Sequence, residues 1–160
     1  MNKKLLSLCL LLLISMSSFG NNFEKGARAF NFGDYRTAYD IWYPMALNGD
    51  SNAQHNIGRM FYEGLGVRQN YSEGLRWFDR SAKQGNPRSL NSLGVAYYDG
   101  RAISIDWVAA YTYFLLAEEF GDDEAAPRNI SRLLPNLNPK EMLEAALLAR
   151  DWKHEFGVYP

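Results

Sequence analysis

The sequence has 160 residues, of which 47% are apolar, 22% charged and 14% aromatic, the proportions of one globular domain. Seventeen basic against eighteen acidic residues leave a formal charge of −1. That excludes a strongly basic nucleic-acid binder and an acidic disordered tail, and a single cysteine excludes an intramolecular disulfide framework.

The chain opens on Lys3 and Lys4, runs through apolar Leu5 to Met16, and reaches small residues at Ser18 and Gly20. This cationic, apolar, small-residue order is that of a secretory signal peptide. The apolar run is shorter than the roughly 20 residues that span a bilayer. Residues 1–20 are therefore expected to be a signal peptide cleaved after about Gly20, with no stable membrane insertion afterwards. The short basic start points to a bacterial protein, periplasmic or secreted. Cys9 follows bulky Leu8 inside the apolar run, so a lipid anchor there is not expected. The remaining domain, 21–160, keeps no cysteine and a charge of −3. Its stability must come from packing alone.

A shift of thirty-six residues aligns much of the domain with itself. Asp34, Asn70 and Asp106 form one series, and Tyr35, Tyr71 and Trp107 the next. Ala53, Ser89 and Ala125 correspond, as do Ile57-Gly58 and Leu93-Gly94. Gly49, Gly85 and Gly121 close each unit, followed by Asp50, Asn86 and Asp122.

These series carry helix signals. Asp or Asn side chains accept from the free amides of a helix start, and glycine suits a left-handed helix end. Helices are expected near 22–32, 35–48, 51–63, 71–84, 87–99, 107–120, 123–134 and 139–155. Pro44 falls inside the second, where it removes a bond to Asp40 and should bend the helix. Asn70 with Glu73 predicts a capping box, as does Asn138 with Glu141, and Pro87 suits a first helical position. Gly58 and Gly94 lie mid-helix, where glycine costs about 1 kcal/mol relative to alanine. Close helix approach would offset that, with Trp77 and Tyr113 filling the space beside them. Trp42 and Trp77 are expected in the core and Trp107 partly exposed. In the last helix Met142, Ala146, Ala149 and Trp152 or Lys153 should form the buried stripe. No alternating strand pattern is present.

Two units, Ala53–Gly85 and Ser89–Gly121, resemble the Sel-one-like repeat (SLR) family, a relative of the tetratricopeptide repeat. The first carries Ala53, Ile57-Gly58, Phe61-Tyr62, Gly64-Leu65-Gly66-Val67, Asn70, Trp77, Ser81-Ala82 and Gly85. It departs from the family at Ile57 for Leu, Asn70 for Asp, Gly74 for Ala and Ser81 for Ala. The second departs further, with Ala102-Ile103 for Gly-Val and Glu118 at an alanine position. Residues 35–49 also look like the family's opening helix, and 137–141 like its terminal helix start.

The resemblance implies an all-α solenoid of about four antiparallel helix pairs, a right-handed superhelix with a concave face. Repeats fall near 22–49, 50–85 and 86–121, with a C-terminal capping pair at 122–155. The first helix of each pair lines the concave face in this repeat class. That nominates His55, Arg59 and Tyr62 in one unit and Asn91, Val95 and Tyr98 in the next, with Phe30 a weaker candidate. Tyrosine and arginine are favoured interface anchors.

Chemistry is sparse by contrast. No H-E-x-x-H, G-x-S-x-G, S-x-x-K or phosphate-binding glycine loop occurs, so no catalytic residue is nominated. The acidic run Glu118-Glu119 and Asp122-Asp123-Glu124 lacks calcium-loop spacing and suits the start of the next helix. No metal, cofactor or nucleic acid is expected. The expected function is a non-enzymatic periplasmic scaffold or adaptor that binds a protein or peptide in its concave groove. One alternative is an immunity protein that neutralises a toxin delivered to the periplasm. Another is an enzyme acting on cell-wall material or β-lactams, disfavoured because the chain lacks the paired cysteines of relatives linked to penicillin binding.

Overall fold

The computed structural model describes residues 22–122 and 124–160. The expected signal peptide and its cleavage site lie outside the described residues. Eight helices, and no strand, are present among those described. Helix α1 spans 22–31. It is followed by α2 (Tyr35–Leu47), α3 (Ser51–Glu63), α4 (Tyr71–Ala82) and α5 (Pro87–Asp99). Then come α6 (Trp107–Glu119), α7 (Ala125–Leu133), a 3-10 turn at Leu134–Asn136, and α8 (Pro139–Phe156).

The caps set these boundaries. Asp34, Asp50, Asn70, Asn86 and Asp106 each accept from the backbone N–H three residues on, at 2.8–3.2 Å. Each such bond satisfies one orphan donor of a helix start. Asn138 and Glu141 form the full reciprocal capping box. Asn70 and Glu73 do not complete theirs, because the Glu73 carboxylate turns to Arg76 at 3.3 Å instead. Helix α2 continues through exposed Pro44 to Leu47.

Neighbouring helices pack in sequence from α2 to α7, and α8 returns onto α6. The first pair is clamped by Trp42, which is buried between Phe23 and Phe30 at ring distances of 5.7 and 5.5 Å. Its indole N–H donates to the Phe23 carbonyl at 3.2 Å. Trp77 is equally buried, while Trp107 is 42% exposed.

The mid-helix glycines mark the closest approaches. A Cβ on Gly58 would sit 2.7 Å from the Phe78 ring, and one on Gly94 would sit 2.5 Å from the Phe114 ring. The backbone carbonyls of Gly74 and Ala110 lie 3.1 Å from the same two points. The space is therefore filled by Phe78 and Phe114, one position after the expected Trp77 and Tyr113. One residue along a helix rotates a side chain by about 100°, so Trp77 and Tyr113 face other neighbours. Trp77 meets Tyr43 edge-on at 6.0 Å, and Tyr113 stacks on Tyr97 at 5.6 Å.

The thirty-six-residue register slips by one after Gly121. Ala53 and Ser89 are fully buried, and the next buried small residue is Ala126, not Ala125. Met60 and Ala96 are likewise followed by Leu133 in the core. Asp122 accepts from the Ala125 N–H at 2.9 Å, in register with the caps at Asp50 and Asn86, but α7 itself begins only at Ala125, later than the repeat predicts. In α8 the buried residues are Ala145 and Ala149, with Met142 and Trp152 half-buried beside them. The expected Ala146 is exposed, because the positions that meet α6 are four apart from Ala149 rather than three.

Gly94→Ala should test the helix crossing. At an open helical site the change would favour folding by about 1 kcal/mol. Here the added methyl meets a buried ring, so a net destabilisation of about 1–3 kcal/mol is expected in urea denaturation.

Candidate functional site

One cleft of about 700 Å³ opens across the first helices of successive pairs, α3, α5 and the start of α7. Five of the six nominated residues line it: His55, Arg59 and Tyr62 from α3, and Asn91 and Val95 from α5. Tyr98 does not. It lies in an adjoining recess that shares Val95, with the Arg132 guanidinium 4.8 Å above its ring. Phe30 is also outside the cleft, packed beneath the Arg59 guanidinium at 5.0 Å.

The structure adds Arg88 and Arg128 to the wall. Arg88 stands one turn before Asn91 on the same face of α5, so helical spacing could have found it. Arg128 takes the position of His55 and Asn91 once the one-residue slip is applied, which no regular repeat would reveal.

The wall is cross-braced. Arg59 pairs with Glu63 at 2.9 Å. Arg88 donates to Asn52 Oδ1 at 2.8 Å, and Asn86 donates to the same oxygen at 3.1 Å. Asn129 donates to Asn91 Oδ1 at 2.8 Å, joining α7 to α5. Arg128 Nε donates to the Glu124 backbone carbonyl at 2.9 Å.

His55 forms the floor and is only 8% exposed. Its Nδ1 lies 3.0 Å from Ser89 Oγ. Ser89 Oγ is 2.8 Å from Ser81 Oγ, which is 2.7 Å from the Ser51 carbonyl oxygen. Burial, followed by the charges of Arg88 and Arg59, pushes the imidazole pKa down to about 3. The ring is thus neutral throughout the ordinary pH range.

Tyr62 contributes a ring more than a polar tip. It packs edge-on to Tyr71 at 4.9 Å, and its hydroxyl is buried without a partner among the described residues. Burial raises its pKa. His154 lies far along the chain in α8, against Tyr159 Oη at 3.1 Å. In the acidic run, Glu119 pairs with Lys153 and Asp122 serves as a cap. Among the described residues no three His, Cys, Asp or Glu side chains are grouped to share a metal ion.

The Sel1 repeat model matches residues 51–86 and 87–122, which hold α3 to α6 and most of the cleft. The chain carries two Sel1 repeats. An ERAD-associated E3 ubiquitin-protein ligase component, HRD3A of Arabidopsis thaliana, is 34% identical over 82 residues. That match covers 51% of this chain and 12% of the plant protein. Among solved structures, a protective antigen of uropathogenic Escherichia coli with an SLR fold superposes with a TM-score of 0.80 at 23% identity. The superposition spans 86% of this chain and 30% of the antigen. A Sel1 repeat protein from Oxalobacter formigenes gives a TM-score of 0.66 at 26% identity, over 82% of this chain and 54% of that one. The all-α solenoid architecture follows from these likenesses and from the helices themselves. Sel1 repeat proteins mediate protein–protein interaction.

His55 makes stability depend on pH in a defined direction. The unfolded imidazole binds its proton near 6.5, whereas the folded one stays neutral down to about 3. Within that window acidification favours the unfolded state, by about 1.4 kcal/mol per pH unit. Comparing wild type with His55→Asn by urea denaturation between about pH 7 and 5 isolates this effect from the carboxylates. The variant should lose one proton's worth of pH dependence.

Proposed function

We propose that this Sel1-repeat chain is an exported interaction scaffold that holds a segment of another protein in the α3–α5–α7 cleft. The observation that carries this reading is the cleft itself, about 700 Å³ of open space braced by side-chain hydrogen bonds between successive repeats. Concave surfaces of stacked repeats are suited to extended partners. The lining mixes an aromatic floor with arginine and asparagine, the chemistry of interface anchors rather than of a reaction centre.

Export rests on the sequence of residues 1–20, with its basic start and short apolar run. Among the described residues no helix is long and apolar enough to cross a membrane. In this reading the scaffold works in the periplasm or outside the cell.

Affinity capture from periplasmic extract, with the bound protein identified and then titrated against variants, tests the site. Arg59→Ala should weaken partner binding by about tenfold or more while leaving the thermal melt nearly unchanged, since the Arg59–Glu63 pair is exposed. Asn91→Ala should weaken binding as much and also lower the melt, because it removes the acceptor of the Asn129 bond that joins α7 to α5. Equal affinity in both variants would sink the cleft assignment. Tyr62 is unsuitable for this test, because its ring packs on Tyr71 and Phe78. N-terminal sequencing of the secreted protein should begin at Asn21, and a chain still starting at Met1 would contradict export by cleavage.

A further inference from the structure

The hydroxyl chain behind His55 has only one consistent direction. The Ser51 carbonyl can only accept, so Ser81 must give it its single hydroxyl proton. Ser81 then has no proton left for Ser89, so Ser89 must donate to Ser81. With both serine protons committed, the contact between Ser89 Oγ and His55 can be a hydrogen bond only if Nδ1 carries the proton. A neutral imidazole protonated at Nδ1 has a bare lone pair at Nε2. That nitrogen has no partner among the described residues, and it is not among the side-chain atoms sealed from solvent without one. It belongs to a residue lining the cleft, so it opens there.

The charges around it are unequally paired. Arg88 has no carboxylate partner among the described residues and holds only the Asn52 amide oxygen. Arg128 is likewise held only by a backbone carbonyl. Glu63 is already neutralised by Arg59, and Asp122 is engaged in capping α7, leaving exposed Glu124 as the remaining acid of the lining. The lining as a whole carries three arginines and three acids, and Arg88 and Arg128 are its two guanidinium groups without a carboxylate partner among the described residues.

We propose that the Ser51–Ser81–Ser89 chain locks His55 as a permanent hydrogen-bond acceptor, and that the cleft thereby recognises an acidic peptide segment. A main-chain N–H of the segment donates to His55 Nε2, and a neighbouring carboxylate side chain is held by Arg88 and Arg128. A neutral acceptor beside arginines selects against a ligand that lacks a donor, since that ligand would cover the open nitrogen and leave it without a partner. This assignment rests on the cleft being the partner site, and it specifies the partner's chemistry.

Two measurements test it. Nitrogen-15 NMR of the imidazoles should show His55 with Nδ1 protonated and Nε2 unprotonated between about pH 5 and 8, while His154 serves as the second ring for comparison. Protonation at Nε2, or a midpoint near the ordinary histidine value, would overturn the lock. Binding is measured with an acetylated, amidated peptide of alternating glycine and glutamate, against the same peptide with glutamine. The glutamate peptide should bind, and the glutamine peptide at least about tenfold more weakly. Arg88→Gln should weaken the glutamate peptide by about tenfold. His55→Asn, which keeps a donor toward Ser89 but removes Nε2, should do the same with the fold intact by circular dichroism. Equal binding of the two peptides, or no binding of either, overturns the acidic-segment assignment. A captured partner that depends on Arg59 and Asn91 but is not displaced by the glutamate peptide would overturn this inference while leaving the scaffold reading in place. A partner indifferent to Arg59 and Asn91 would remove the scaffold reading itself.

Discussion

The close crossing of paired helices at a side-chain-free point is the constraint on which the array depends. At Gly58 and again at Gly94, a phenylalanine ring from the second helix of the pair occupies the volume that a Cβ would need. The two rings, Phe78 and Phe114, are buried. Dispersion contacts at such short range are lost steeply with separation, so the glycine and the ring fix how far apart the helices lie. Spacing within each pair in turn sets which face of α3 and α5 remains uncovered.

Apolar contact alone would leave neighbouring repeats free to slide. The bonds that cross between repeats are largely polar and recur at nearly the repeat length. Gln84 donates to Gln54 at 2.7 Å, Asn86 and Arg88 reach Asn52, and Asn129 reaches Asn91. The Ser51–Ser81–Ser89–His55 chain is the most deeply buried of these links. A buried polar group without its partner is penalised by about 1–3 kcal/mol, so each link disfavours a shifted register. The same residues that hold register also furnish the cleft wall. Binding and architecture therefore share side chains, and variants must be chosen to separate them.

What distinguishes the cleft is the fixed protonation of its floor. An exposed histidine would switch charge within the physiological range. Here burial and two arginines hold the imidazole neutral, and a hydroxyl chain decides which nitrogen is bare. The result is a pre-organised acceptor that needs no reorganisation on binding, which lowers the entropic penalty of association.

The sequence by itself determined the helices, their caps and the period, because these depend on residues close in the chain. Asp34, Asn70 and Asp106 cap as their spacing requires, and helical periodicity was enough to bring His55, Arg59, Tyr62, Asn91 and Val95 to one face. Tertiary structure decided what depends on contact between distant segments. It put Phe78 and Phe114 rather than Trp77 and Tyr113 against the glycines, since one residue of helical rotation changes the neighbour met. It placed Ala126 and Arg128 one step off the period, because α7 starts at Ala125 even though Asp122 caps at the regular spacing. The tautomer of His55 was invisible in the sequence for the same reason. It is set by the Ser89 hydroxyl, thirty-four positions from His55, and through Ser81 by the Ser51 carbonyl, thirty positions from Ser81, and only folding brings them within reach of one another.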